Sequence, residues 1–256
     1  MFFIFVLAIQ IIVVYNLFIR DHYPTLIKRR PILILNQSPL FERHFNCPVC
    51  GKQFTSMSVR SSAINVAEVE SDKHIIYHGP SPLHYIITVC PSCLYAAPYS
   101  KFDQPLADHL GHKILAGLKN HKNLPFFGGP RDLKQSLLAF NLSIETARMK
   151  NLPASEIAGL ILCMAWIARE SGHDDIEQRC LNQAMECYIH AYTSETEGKL
   201  SDVQLAYIIG DIQRRTGNDQ EAVVWLNQAL HSKNIKAYPD IEKQARDVWA
   251  TIRGKV

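Results

Sequence analysis

The amino-acid sequence predicts an α+β protein: a small β-rich, zinc-ribbon-like module followed by an α-helical, tetratricopeptide-like hairpin array. Three observations support this prediction. Two Cys-x-x-Cys pairs flank a segment rich in β-branched residues, and apolar positions recur with a helical period from Phe102 onward. Small residues in the second half stand where paired helices would approach closely. A hydrophobic N-terminal helix is predicted to precede both parts.

The composition excludes some classes of protein. The 256 residues suffice for two modest domains, or for one domain and an anchor. A formal charge of +3 is too small for a general nucleic-acid binder. Basic and acidic side chains balance over residues 41–100, so that segment lacks the basic face that phosphate contacts require. Seven cysteines form no regular framework, which argues against an oxidised secreted scaffold.

Residues 1–20 are predicted to form a transmembrane anchor, and residues 21–40 a connector. The 18 residues from Phe2 to Ile19 carry no charge, and as a helix they would rise about 27 Å, slightly less than a hydrocarbon core of about 30 Å. Basic residues at positions 20 and 28–30 predict that the following chain lies in the cytoplasm. A cleaved signal peptide fits less well, because there is no basic n-region or small-residue cleavage site. Alternatively, the start is assigned too far upstream, and the protein is cytoplasmic.

The zinc-ribbon-like module is predicted over residues 41–100, with Cys47, Cys50, Cys90 and Cys93 as ligands of one structural zinc ion. Two Cys-x-x-Cys pairs suit a tetrahedral zinc shell, and four protein ligands leave no open position for a catalytic water. A redox dithiol is the alternative reading of a single pair. The nearby histidines are alternative ligands, namely His44, His74, His78 and His84. Strands are expected between the two cysteine pairs, at 59–69, 75–77 and 85–89.

The helical domain is predicted over residues 101–256. Apolar periodicity predicts helices that include 106–118, 133–147, 153–172, 174–192 and 241–252, with a helix–turn–helix over 203–230. Gly210 and Ala229 are expected at the close approach of that last pair. The three other cysteines and the three tryptophans are expected in the core, namely Cys163, Cys180, Cys187, Trp166, Trp225 and Trp249.

One helix face in this domain is predicted to bind a protein partner. Gln204, Tyr207, Asp211 and Arg214 share the face of the first helix of the 203–230 unit. Arrays of such helical pairs leave a groove that binds peptides. The alternative is that these four are ordinary solvated residues.

Several motifs together resemble a known bacterial family. They are Cys47-Pro-Val-Cys-Gly-Lys-Gln-Phe, Val59-Arg-Ser-Ser, Tyr85-x4-Cys-Pro-Ser-Cys-Leu-Tyr-Ala-Ala97, Tyr207-Ile-Ile-Gly-Asp-x-Gln-Arg-Arg-Thr-Gly217 and Ile241-Glu-Lys-Gln-Ala-Arg-Asp-x-Trp249. Over roughly residues 39–255 the chain resembles the family filed as domain of unknown function 2225. The resemblance implies a cysteine-rich N-terminal module followed by tetratricopeptide-like helices, and it implies no known activity. Residues 1–38 depart from the family pattern, since members usually begin close to the first cysteine pair.

These inferences together predict a zinc-binding, membrane-tethered scaffold that binds a protein partner through its helical repeats and contacts the membrane through residues 2–19. A nucleic-acid-binding zinc-ribbon protein is the alternative, although the neutral charge of the module makes nucleic acid an unlikely partner. An enzyme with an active site elsewhere is a further alternative. No catalytic residue is predicted, because the sequence has no recognisable nucleophile–base pair, phosphate-binding glycine loop or carboxylate cluster.

Overall fold

The computed structural model describes residues 38–195 and 200–254. The predicted membrane anchor and nearly all of the connector lie outside these residues. Within the described part of the chain, no helix is both long enough and apolar enough to cross a membrane.

The first part of the chain contains three antiparallel pairs of short strands. Strand β1 (Leu40–Asn46) pairs with β2 (Gln53–Val59), β3 (Val66–Val69) with β4 (Ile75–Tyr77), and β5 (Ile87–Val89) with β6 (Ala96–Pro98). In β1–β2 the register runs from Leu40 opposite Val59 to Asn46 opposite Gln53. In β5–β6 it ends at Val89 opposite Ala96. The expected strands between the cysteine pairs are present, but they form separate hairpins instead of one continuous ribbon.

Seven α-helices follow in the described residues, close to the predicted ranges. They are α1 (Asp108–Leu118), α2 (Leu133–Met149), α3 (Ala154–Glu170), α4 (Asp174–Ser194), α5 (Asp202–Arg215), α6 (Asp219–Leu230) and α7 (Pro239–Arg253). The chain is therefore a mixed protein of small strand pairs and helices, as the α+β prediction states.

The same glycine turn separates the helices of two successive pairs, α3–α4 and α5–α6. Gly172 and Gly217 adopt positive φ angles of 69° and 85° directly after the helix ends. In the first turn Gly172 N–H donates to Arg169 O at 3.0 Å and His173 N–H to Ala168 O at 2.9 Å. The turn at Gly217, between α5 and α6, contains the two equivalent backbone hydrogen bonds. This is the Schellman arrangement, which favours glycine because other residues are strained at positive φ.

The close approach predicted at Gly210 is present between α5 and α6. A Cβ atom on Gly210 would lie 3.0 Å from Leu226 Cγ and 3.2 Å from its backbone nitrogen. The missing side chain therefore allows α6 to pack against α5. Ala229 is 1% exposed in the same contact region.

One hydrophobic core extends from the strand pairs into the helices. Phe45 and Ile87 belong to the same buried cluster as Phe140 on α2 and Ile161 on α3. Cys163 and Cys180 are buried in this cluster, and Cys187 is partly buried against it. The strand-rich part and the helical part thus share buried surface, and the boundary at residue 100 is not marked by separate cores.

Candidate metal centre

The two cysteine pairs occupy the tips of two similar hairpins. β1 leads into Cys47 and β2 leaves after Lys52, whereas β5 leads into Cys90 and β6 follows Tyr95. Cys47 N–H donates to Lys52 O at 3.0 Å, and Cys90 N–H donates to Tyr95 O at 2.9 Å. The backbone at each tip therefore closes in the same way and presents its two cysteines to the other tip.

Each tip requires a left-handed backbone residue directly after its second cysteine. Gly51 has φ 70° and Leu94 has φ 64°. The amide of each donates back to the carbonyl of the first cysteine, at 2.9 Å for Gly51 and 3.0 Å for Leu94. Glycine adopts this conformation without steric cost, whereas leucine is strained in it. The second tip therefore keeps the geometry of the first despite an unfavourable residue.

The four sulfur atoms converge between the tips. Their Sγ atoms all lie within 4.8 Å of one another. Cys47 Sγ lies 3.5 Å from Cys93 Sγ, and Cys50 Sγ lies 3.6 Å from Cys90 Sγ. A disulfide would need about 2.05 Å, whereas Zn–S bonds of about 2.3 Å in a tetrahedron place sulfurs about 3.8 Å apart. The four cysteines could therefore hold one metal ion, and their spacing is consistent with zinc.

The sulfurs strongly perturb one another's ionisation. Hydrogen bonds from Cys47 and Cys93, together with the amides of Cys93 and Ser92, lower the pKa of Cys90 to about 2. The hydrogen bond with Cys90 and burial raise the pKa of Cys47 to about 12, although the hydrogen bond with Cys93 acts in the opposite direction. Four thiolates at this spacing repel one another, so a bound cation is what allows all of them to deprotonate together.

An aromatic cluster packs between the two cysteine hairpins, next to the sulfur atoms. Phe45 stacks on Phe54 with ring centroids 5.8 Å apart, and both meet the edge of Phe102 at 5.4 and 5.6 Å. Tyr95, next to the second cysteine pair, lies 5.0 Å from Phe102. Phe102 and Tyr95 are fully buried. This packing joins the two hairpins beneath the sulfur atoms, and it holds them at the distance that metal binding needs.

The four residues predicted to bind a partner do not line an open groove. Tyr207 and Asp211 are 3% and 0% exposed. The Tyr207 hydroxyl donates to Ser71 O at 2.6 Å, and Asp211 accepts from Ser71 Oγ at 2.9 Å. Arg214 donates to Asp211 at 2.9 Å, and Gln204 takes part in the cap of α5. The expectation of an open groove is corrected, because the turn between β3 and β4 covers this face of α5.

An ion network that the sequence does not predict lies under that turn. Asp72 is fully buried and accepts hydrogen bonds from Trp166 Nε1 at 3.0 Å and Arg169 Nη2 at 2.9 Å. Arg215 Nε approaches the same oxygen at 3.2 Å. No local signal pairs residue 72 with residues on two distant helices. The one available hint was the concentration of charge in Glu70-Ser-Asp-Lys-His74 between two short strands.

The four histidines considered as alternative ligands lie elsewhere. The sulfur cluster is the sole group of three or more potential metal-binding side chains found in residues 38–195 and 200–254. His74 is buried between two glutamates, and His84 Nδ1 lies 2.8 Å from Ser136 Oγ. His44 and His78 are exposed. The four-cysteine shell therefore needs no histidine substitute.

These features define a mixed α and β protein with a cluster of four cysteines at its strand-rich end that could hold a metal ion. The chain belongs to the bacterial family described as "uncharacterized protein conserved in bacteria (DUF2225)", whose model matches residues 40–252. This confirms the resemblance inferred from the motifs. Comparison with curated proteins and with solved structures found no match.

Proposed function

We propose that this protein is a zinc-binding scaffold in which one structural zinc ion joins the two cysteine hairpins and the helical pairs bind a protein partner. One observation carries the metal part of the proposal: four cysteine sulfurs from two hairpins lie within 4.8 Å of one another. A shell of four thiolates is closed, so the ion would stabilise the module and would not activate water.

The ligands would be Cys47, Cys50, Cys90 and Cys93. The tips belong to hairpins that are distant in sequence, so the ion would close a long loop and its binding free energy would contribute directly to folding. Backbone amides help to lower the pKa of Cys90, and at the other tip they oppose the rise in the pKa of Cys47, as expected for groups that support a thiolate ligand.

Metal analysis of two matched variants tests this part. Cys93 and Cys187 are both partly buried cysteines, but only Cys93 lies in the sulfur cluster. We expect one zinc per chain in the wild type and in Cys187→Ser. Cys93→Ser should lose the metal and the cooperative melting of the strand-rich part. A Cys93→Ser protein that retains one zinc and the wild-type melting curve would contradict the proposal.

The partner-binding part is supported by the repetition of the helical pairs. The pairs α3–α4 and α5–α6 share the glycine turn, and α7 packs against the second pair. Stacked pairs of this kind, resembling tetratricopeptide repeats, bury one face and commonly use another for binding. The β3–β4 turn covers the inner face at α5, so we assign no partner surface to individual residues.

Cross-linking in the native cell tests partner binding. We expect a reproducible partner that is cross-linked to the wild type and to Cys187→Ser at equal yield. The metal-deficient Cys93→Ser should recover less of it, because the module and the helices share one core. Recovery of no partner above the background of an unrelated helical protein would contradict the scaffold.

Membrane tethering through residues 2–19 belongs to the same proposal, with the C-terminal part in the cytoplasm. We expect the full chain to remain in the membrane pellet after an alkaline wash. Ile12→Arg, which places a charge in the middle of the apolar run, should shift the chain to the soluble fraction. A wild-type chain found in the soluble fraction would refute tethering.

A further inference from the structure

The turn between β3 and β4 places two charged or titratable side chains, Asp72 and His74, in the interior. It reverses the chain within residues 70–74, with Lys73 at φ 71°. Glu70 N–H donates to His74 O at 2.8 Å, and Lys73 N–H donates to Glu70 O at 3.0 Å. The turn lies against α3 and α5, through Arg169 and Tyr207 among others. It is therefore a contact point between the strand-rich part and two helical pairs.

His74 lies at the centre of this contact and is 2% exposed. Its Nδ1 is 2.7 Å from Glu70 Oε2, and its Nε2 is 2.9 Å from Glu170 Oε1. A neutral imidazole has one N–H and one lone pair, so it can donate to only one of these carboxylates. The other nitrogen would then face a carboxylate oxygen, lone pair against lone pair, at hydrogen-bond distance. With both glutamates ionised, the geometry therefore requires the doubly protonated imidazolium.

The surrounding charges favour the same state. Within the network around His74, the carboxylates outnumber the guanidinium groups by two. The carboxylates are Glu70, Asp72, Glu170, Glu177 and Asp211, and the guanidiniums are Arg169, Arg214 and Arg215. His84 Nε2 also approaches Glu170, at 3.4 Å, and Lys73 at the edge of the turn faces Asp240. A proton on His74 reduces the excess negative charge in a region that water hardly reaches.

The ionisation of these groups is consistent with that geometry. Burial by itself lowers the pKa of His74, but hydrogen bonds to Glu170 and Glu70 outweigh burial, so the pKa lies above its usual value. Burial opposes the ionisation of both glutamates, yet hydrogen bonds from His74 and the nearby Arg169 and His84 lower their pKa to about 2.

We propose that His74 is a proton-dependent clasp: as an imidazolium it joins the β3–β4 turn to α3, and loss of its proton weakens that contact. The coupling between the strand-rich part and the helices would thus respond to alkaline pH. This inference does not depend on the metal or on a protein partner.

The direction of the pH dependence follows from the folded and unfolded states. An unfolded histidine has a pKa of about 6.5, and folding raises the pKa of His74. The clasp is therefore complete below about pH 6.5 and is lost as the pH rises through the folded pKa. At the acid end, Glu70 and Glu170 contribute fully above about pH 4.5, and their contribution is lost as the pH falls through about 2.

The protonation state can be measured directly on the full chain. We would label the eleven histidines with 15N and follow their imidazole signals from pH 5 to 10 in a mild detergent. One histidine should keep the imidazolium pattern to a pH above the usual histidine pKa of about 6.5, and its signal should be absent from His74→Gln. His78→Gln, which changes an exposed histidine, should retain it. A spectrum in which every histidine is neutral by pH 7 would overturn the proposal.

Weakening of the contact between the turn and α3 is tested by hydrogen exchange of amides 70–78, expressed relative to an unstructured peptide at each pH. Protection in the wild type and in His78→Gln should fall by up to about tenfold per pH unit between about pH 6.5 and the folded pKa of His74, and it should level off above that pKa. Protection that is constant from pH 6 to 9 would overturn the clasp. If His74→Gln does not fold, Glu170→Gln serves instead, because one charged acceptor is removed while the ring remains. It should shift the end of the loss, which is set by the folded pKa of His74, to lower pH, and an unchanged end point would also count against the proposal.

The fluorescence of Trp166 provides an independent measurement of the protonation state of His74. Its ring stacks on His74 with centroids 5.5 Å apart and planes inclined by 13°. A protonated imidazole at this distance quenches indole fluorescence, so the Trp166 contribution, taken as the difference between wild type and Trp166→Phe, should increase severalfold as His74 loses its proton. A contribution that does not change with pH would contradict the inference.

Discussion

Replacing Asp72 by alanine should destabilise the protein more than the removal of any surface charge. The carboxylate of Asp72 is fully buried and accepts from Trp166, Arg169 and the backbone amide of His74, at 3.0, 2.9 and 3.2 Å. Its loss leaves an indole N–H and two guanidiniums without this acceptor in a region of low dielectric constant. Breaking one side of a buried ion pair typically costs about 3–5 kcal/mol. For a chain of this size the melting temperature should fall by about 10 °C.

An exposed ion pair of the same type provides the control. Asp175 pairs with Arg179 at 2.9 Å, but both side chains are more than 70% exposed. Asp175→Ala should therefore change the free energy of unfolding by less than about 1 kcal/mol. Both free energies would be measured by urea unfolding of the full chain in a mild detergent. Equal losses in Asp72→Ala and Asp175→Ala would refute the view that the buried network anchors the β3–β4 turn.

Two further predictions concern glycines. Gly51→Ala should lower the free energy of unfolding by about 1–2 kcal/mol, because φ is 70° there, although a Cβ atom would meet nothing within 4 Å. At Gly111, within α1, a Cβ atom would also meet nothing within 4 Å, so Gly111→Ala should raise the free energy of unfolding by up to about 1 kcal/mol. Chemical unfolding of both variants would show whether one substitution destabilises the protein and the other stabilises it. Gly210→Val should lower the melting temperature, by an amount set by the overpacking cost of about 1–3 kcal/mol, because a Cβ atom would already lie 3.0 Å from Leu226. An unchanged melting temperature would mean that α6 is free to shift away from α5.

Features that depend on neighbouring residues could be predicted from the sequence. The helices appear close to their predicted ranges because apolar periodicity and capping are local properties. The cysteine spacing identified the cluster for a similar reason, since each tip is a short turn built from adjacent residues. Gly210 was recognisable because the close packing of a helical pair requires a small residue at a particular position in the repeat.

The sequence predicts which residues share a face of α5, but it does not predict that the β3–β4 turn packs on that face. Helical periodicity correctly places Tyr207, Asp211 and Arg214 on a common side. They face Ser71 of the β3–β4 turn, which lies more than 130 positions earlier in the chain. Periodicity states which residues share a face and carries no information about the segment that packs on it.

The sequence by itself thus determined the mixed fold class, the helices and the four cysteines that can share a metal ion, because these follow from local spacing and turn chemistry. Only the tertiary structure decided that Asp72 and His74 are buried among arginines and glutamates of three helices. Charged residues in a turn are ordinarily solvated. Their burial here depends on partners supplied by helices distant in sequence, and burial without those partners would be too costly to persist.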